Sequence, residues 1–503
     1  MKACLMYKDC NFRLDQRPLW NEEALVQDLE LDTLFRAMAH DDDLVFEVSK
    51  RALLSGLTNG PETITYRQQV LSDCLRHPSI VMDIYRLATE AAEQEKSAFT
   101  FGIFGKYPAS ILHRSVGVLK MLWGVLKNLR KIGDENAGKF ESDGFNTLLG
   151  MLRKELNDEF LTKIGEHLRK LEFRDGVLLS AELGEGNCGT NYVLRMTQEK
   201  RQDWLRRLLS KKPPAYTFRI APRDESGARA LSELRDRGIA PVANVAAQSA
   251  EHILGFLDML RTELAFYVGC LNLHDHLTRK GEPTCLPRPE VAGKRTLSFR
   301  GLYDVCLTLN TERRVVGNDL SADDKTLMVI TGANQGGKSV FLRSIGVAQL
   351  MMQAGMFVPA EAFSASVCDG LFTHFRREED ASMRSGKLDE ELGRMSAIVD
   401  HVRPDTIILL NESFAATNER EGSEIARQIV DALVEKGVRV FFVTHLYEFA
   451  HGVYERRMKN AVFLRAERES DGGRTFKLHE GEPLNTSYGE DLYRTVFGTA
   501  LES

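Results

Sequence analysis

The feature that most constrains this chain is a glycine-rich turn, Thr331-Gly-Ala-Asn-Gln-Gly-Gly-Lys-Ser339, set between an apolar run at 326–330 and an amphipathic stretch at 340–352. It fits the pattern G-x-x-x-x-G-K-[ST] through Gly332, Gly337, Lys338 and Ser339. A strand that turns through glycines into a helix points successive backbone N–H groups inward, at the positive end of the helix dipole, and so forms a cradle for phosphate oxygens. Lys338 is placed to neutralise the outer phosphates, and the Ser339 hydroxyl to ligate Mg²⁺. The turn needs a strand before it and a helix after it. The C-terminal part of the chain is therefore expected to be α/β, with a largely parallel, buried sheet.

Two further apolar runs end in polar residues, as strands of such a sheet do. The run at 406–410 ends in Asn411-Glu412, and the run at 438–443 ends in Thr444-His445. A strand end beside a phosphate cradle is where the metal and the attacking water are handled. Glu412 is the natural general base or water-orienting group. Asn411 stands where a carboxylate usually serves the metal; it offers an oxygen without charge, so weaker Mg²⁺ binding or slow hydrolysis is expected. His445 is placed to hydrogen-bond the terminal phosphate.

Upstream, the texture is helical. Ile253, Phe256, Leu257, Leu260, Leu264, Tyr267, Val268 and Leu271 recur at three and four residues, and 111–129 and 149–171 repeat the pattern. A break separates the helical arms: strands are expected at 176–183 and 192–194 around a glycine-rich link, and Lys211-Lys-Pro-Pro214 interrupts the pattern that follows. Residues 1–45 show no clear periodicity. Domain boundaries are read at 1–45, 46–285 (helical, with an insertion near 172–240) and 286–503.

Charge places any nucleic-acid contact locally. The chain carries −6 overall, but 195–238 holds twelve basic against six acidic residues, with Trp204, Tyr216 and Phe218 among them. That stretch suits sequence-independent contact with a phosphate backbone, or equally a solvated helix face. Eight scattered cysteines without a CxxC pair suit reduced thiols in the cytoplasm, and neither a signal peptide nor a membrane-length apolar run is evident.

In order and over nearly its whole length, 286–503 resembles the ATPase domain of MutS proteins. The turn Thr331–Ser339 is similar to that family's TGPNMGGKS, with Asn334 and the pair Gly336-Gly337 the more specific matches. Gly355-Met-Phe-Val-Pro-Ala-Glu361 resembles G-x-FVPAE, and Leu371-Phe-Thr-His374 sits where the family has IFTR. Glu412, Thr417 and Gly422 align with DE-x-x-x-x-T and its following glycine; Thr444–Phe449 resembles THYFEL, and Thr486–Gly489 the SYG segment. Ser385 and Glu390 match the signature S-x-F-x-x-E, with Lys387 in place of Phe. Leu57–Val70 resembles the opening of the MutS lever domain.

The resemblance implies an ABC-type P-loop ATPase domain at the C-terminus, preceded by a mainly α-helical lever and reduced clamp. It implies ATP and Mg²⁺ as ligands, with Phe341 added to the nucleotide-contacting residues. Two ATP molecules would be sandwiched in a homodimer, and the partners would be duplex or branched DNA and repair proteins, with no membrane. The departures matter too. No Phe here is followed two positions later by Glu, so the family's mismatch-reading wedge is not expected, and the dimerisation tail and nuclease-like domain are expected to be short or missing. The alternative is a nucleotide-gated scaffold for a protein or ribosomal RNA partner.

Overall fold

The computed structural model describes residues 1–100, 107–174, 176–195, 216–217, 219–377, 386–469 and 473–485. The interruption at 211–214, Trp204, Phe218, Ser385 and the segment 486–489 lie outside the described residues. The chain divides into two compact units: residues 1–3, 82–139 and 147–261 form one, and 4–81, 140–146 and 262–503 the other.

The first unit is helical. Leu112 and Val116 of the helix Pro108–Glu135, Leu168 of Asp158–Lys170, and Ile239, Ala243 and Ala246 of the helix Glu225–Arg279 form one buried cluster. Gly165 leaves room for the Trp123 ring, whose Nε1 donates to Leu161 O at 3.0 Å. The helix Glu225–Arg279 accommodates Pro241 in its interior, at the loss of one backbone hydrogen bond, and its residues from Thr262 onward belong to the second unit. The expected strands are present as an antiparallel pair, β1 (Leu178–Leu183) and β2 (Gly189–Arg195), in which Leu179 faces Leu194.

The second unit carries two sheets. A smaller one has the order β3-β7-β4-β5, from β3 (Arg288–Glu290), β4 (Leu297–Leu302), β5 (Asn318–Ser321) and β7 (Ala362–Ser366). The main sheet has six strands: β6 (Leu327–Gly332), β8 (Leu371–Phe375), β9 (Ile407–Asn411), β10 (Arg439–Val443), β11 (Ala461–Arg468) and β12 (Arg474–Glu480), ordered β12-β11-β6-β10-β9-β8. Every pair is parallel except β11–β12. The three apolar runs read from sequence are β6, β9 and β10, and they are buried on both faces, as parallel strands covered by helices must be. On one face Val329, Ile408, Leu410, Val440 and Phe442 pack with Val430 of the helix Glu419–Glu435 and Phe449 of the helix Tyr447–Glu455. On the other lies the helix Lys338–Gln353, nearly all buried, whose Gly346 meets Leu409.

The N-terminal residues, which show no periodicity, are nevertheless fixed. The carboxylate of Glu263, buried, accepts from the backbone N–H of Leu5 (2.6 Å), Met6 (3.3 Å) and Phe12 (2.9 Å). Arg67, fully buried, donates to Met6 O (2.9 Å) and Ala354 O (3.1 Å) and lies over the Tyr7 ring. Asp42 caps the helix Asp43–Ser55 by accepting from Leu44 and Val45 N–H.

Candidate functional site

Strand register brings the candidate residues to one edge. Val443 of β10 pairs with Ile330 of β6 and with Asn411 of β9, and Asn411 pairs with Phe375 of β8. The next residues along each strand therefore emerge level with one another: the turn after Ile330, Glu412 after Asn411, Thr444-His445 after Val443, and Arg376 after Phe375.

The turn adopts the backbone that its glycines allow. Gly332 has φ +110°, and a Cβ there would stand 2.8 Å from Ala466 N, so both conformation and space require glycine. Gly337, at φ +84°, precedes the first residue of the helix Lys338–Gln353. Lys338 is buried, and its Nζ donates to Gly332 O (3.0 Å) and Ala333 O (2.8 Å). Burial pushes its pKa down to about 8, against the pull of the nearby Glu412 carboxylate.

Ser339 Oγ donates to Asn411 Oδ1 at 3.0 Å. Glu412 sits at φ +54°, its N–H donating to Val443 O at 2.8 Å. His445 Nε2 lies 3.2 Å from its Oε1, and Arg376 Nη1 lies 3.6 Å from its Oε2. The hydrogen bond with His445 holds the Glu412 carboxyl below its ordinary range, with Lys338 and Arg376 acting in the same direction and burial opposing. Next to Glu412, Ser413 contacts His374, whose pKa burial lowers to about 4.

A cleft of about 440 Å³ opens over the turn, within the range of small-ligand sites. Residues 334–339 and Glu412 line it, together with the apolar and aromatic Leu302, Tyr303, Val315, Val316, Phe341 and Phe476 and the charged Asp304, Arg313 and Arg314. A lining of both kinds suits a molecule that carries charge and a flat apolar part. Asn334, Gly336, Gly337, Lys338, Ser339, Phe341 and Glu412 meet there, while Asn411 reaches the turn through Ser339. Gly332 and His445 line an adjoining cleft of about 220 Å³. Glu390, in the first turn of the helix Lys387–Val399, lines neither cleft; its Oε1 lies 2.5 Å from Arg394 Nε.

Three contributors carry no sequence signal. Arg376 stands at the Glu412 carboxylate. Arg474 donates from Nε to Asn334 O at 3.3 Å. Phe476, 48% exposed, flanks Gly337. No motif spacing marks them, since strand pairing brings each to its place, Arg376 to Glu412 and the other two to the turn.

For Mg²⁺, the chain offers Ser339 Oγ and Asn411 Oδ1, both neutral, and a Glu412 carboxylate that is already engaged. This set fits a cation that arrives on a triphosphate better than one held by the protein alone. Among the described residues, no group of three or more His, Cys, Asp or Glu could hold a metal. Among them, too, no helix is long and apolar enough to cross a membrane.

In the other unit, Arg195, Arg219, Arg223, Arg229, Arg235 and Arg237 are all exposed. The remaining basic residues of that stretch, 200–212, lie outside the described residues.

Comparison with known proteins gives two matching family models, the MutS2 N-terminal domain over residues 59–280 and MutS domain V over 328–495. Endonuclease MutS2 of Lactiplantibacillus plantarum is 31% identical over 222 residues, 44% of this chain and 26% of the relative. DNA mismatch repair protein MutS of Thermotoga neapolitana is 33% identical over 181 residues, 36% and 22% respectively. MutS protein homolog 4 of Mus musculus is 27% identical over 256 residues, 48% and 25%. The matched stretch thus spans about a quarter of each of these relatives.

Proposed function

The chain belongs to the MutS family, with its domain V, a P-loop ATPase domain, present over 328–495, and on that premise we propose that it binds and hydrolyses ATP at the Gly332–Ser339 turn and uses the cycle to operate a clamp on DNA. The observation that carries the reading is the alignment of strand ends, which brings Lys338 and Ser339 of the turn after β6, Asn411 and Glu412 after β9, and His445 after β10 to one edge of the sheet. The triphosphate lies along residues 334–339 with Lys338 on its outer phosphates, and the base lies against Phe341 and Phe476. Glu412 orients the attacking water and takes its proton, and His445 fixes the carboxylate. Mg²⁺, when bound, neutralises charge on the phosphates, and Ser339, Asn411 and Glu412 are the residues that would hold it.

The resemblance of Ser385 and Glu390 to the signature segment supports a homodimer with nucleotide between two ATPase domains. Glu390 lines neither cleft of its own chain, which suits a role toward a second copy. In this reading the long helices are the lever and the β1–β2 pair marks the reduced clamp. The six exposed arginines support contact with the phosphate backbone of duplex or branched DNA, in a cytoplasmic repair or recombination setting with repair-protein partners.

Two substitutions test the ATPase. Lys338→Ala loses ATP binding, and Glu412→Ala binds ATP but stalls; wild-type protein that fails to bind a fluorescent ATP analogue would sink the reading. Salt-dependent gel shifts with duplex, branched and RNA ligands test the clamp. Binding to RNA alone, or to a protein alone, favours the scaffold alternative.

A further inference from the structure

Glu412 lies at the end of the strand between β8 and β10, and its left-handed backbone, held by Val443 O, aims its side chain across that edge. Each neighbouring strand delivers one partner. From β10 comes His445, 3.2 Å from Oε1; from β8 comes Arg376, 3.6 Å from Oε2. Register makes the second contact specific. The Arg376 N–H donates to Asn411 O at 2.9 Å, so Arg376 is the first residue beyond the β8–β9 pairing and stands beside Glu412.

From this geometry we infer that Arg376 is a positioning residue for hydrolysis, holding the second oxygen of Glu412 so that the carboxylate keeps one orientation toward the water it activates. The inference rests on the role given to Glu412 above. A carboxylate held at one oxygen still turns about its own bonds; an ion pair at the second oxygen, from the opposite side, narrows that freedom. Guanidinium suits this place because it stays charged at every working pH, whereas imidazole does not. The Arg376 side chain is 46% exposed, so the pair adds little to fold stability and substitutions there are expected to fold. Arg376 does not line the nucleotide cleft, which separates positioning from nucleotide binding.

The test compares Arg376→Gln, Arg376→Lys, Glu412→Gln and the double variant Arg376→Gln/Glu412→Gln, measuring ATP affinity by fluorescent nucleotide titration and single-turnover hydrolysis. Arg376→Gln is expected to keep the ATP Kd within about twofold and to slow hydrolysis roughly five- to tenfold, with Arg376→Lys recovering at least half of the loss. In the Glu412→Gln background, Arg376→Gln is expected to cost nothing further, because its effect passes through Glu412. A wild-type rate in Arg376→Gln beside a stalled Glu412→Gln overturns the inference alone. So does an equal loss of affinity and rate, or an additive loss in the double variant. A wild-type rate in Glu412→Gln overturns the role of Glu412 itself, and this inference with it.

Discussion

Ser339 Oγ and Asn411 Oδ1 are joined by a hydrogen bond of 3.0 Å, the one side-chain link between the phosphate turn and the end of β9 among the described residues. Since Asn411 brings an oxygen without charge, Asn411→Asp is expected to lower the Mg²⁺ concentration for half-maximal turnover several-fold, read from a Mg²⁺ titration of phosphate release. An equal or higher requirement would remove the charge argument.

ATP affinity is expected to weaken as pH rises past about 8. Burial brings the Lys338 ammonium down to about 8, and a phosphate beside it would raise that value again. Well below pH 8 the lysine is already charged, so binding takes up no proton there; as pH rises through about 8, binding draws one in. Calorimetry in two buffers of different ionisation heat should show that uptake, and its absence just above pH 8 would count against Lys338 facing phosphate.

His445→Ala should move the acid limb of the hydrolysis profile to higher pH. The hydrogen bond from His445 is the largest influence lowering the Glu412 carboxyl; without it, Lys338 and Arg376 remain to oppose burial. The carboxyl then protonates at a higher pH and activity is lost earlier on acidification. A limb that stays in place would show that this contact does not tune Glu412.

Glu263→Ala should free the N-terminal segment. It strands the N–H groups of Leu5, Met6 and Phe12 in a buried site, at about 1–3 kcal/mol for each buried group left without a partner. Urea denaturation should show a loss of about 3 kcal/mol or more, and limited proteolysis new cleavage before residue 20. Glu263→Gln keeps one acceptor oxygen and should lose less.

Gly355→Ala should cost about 2 kcal/mol or more by urea denaturation, since φ is +83° and the added methyl would run into the Arg67 side chain. A loss near zero would mean that the end of the helix Lys338–Gln353 gives way freely.

Much of this site could be read along the chain because its chemistry is local. The turn 331–339 is one continuous segment, and β6, β9 and β10 are buried strands whose ends carry polar residues. The MutS resemblance likewise agrees with the matching family models. What escaped depends on pairing across distance. Arg376 matters because Phe375 is in register with Asn411, and no spacing in the sequence encodes that. Arg474 and Phe476 belong to β12, at the far edge of the sheet order, yet reach the turn. The segment 4–12 has no periodicity because its order comes from distant side chains, the Glu263 carboxylate some 250 residues away and the Arg67 guanidinium among them.

The Lys338 ammonium has acceptors within its own turn. It rests on the carbonyls of Gly332 and Ala333, so the turn itself supplies acceptors for the charge that Lys338 offers to phosphate. Capture of an anion is thus an exchange of one set of acceptors for another, and its net strength is the difference between the two. A tally of contacts in the loaded turn would overstate the grip. The same two contacts tie the start of the loop to its end, so part of its shape is set from within the chain.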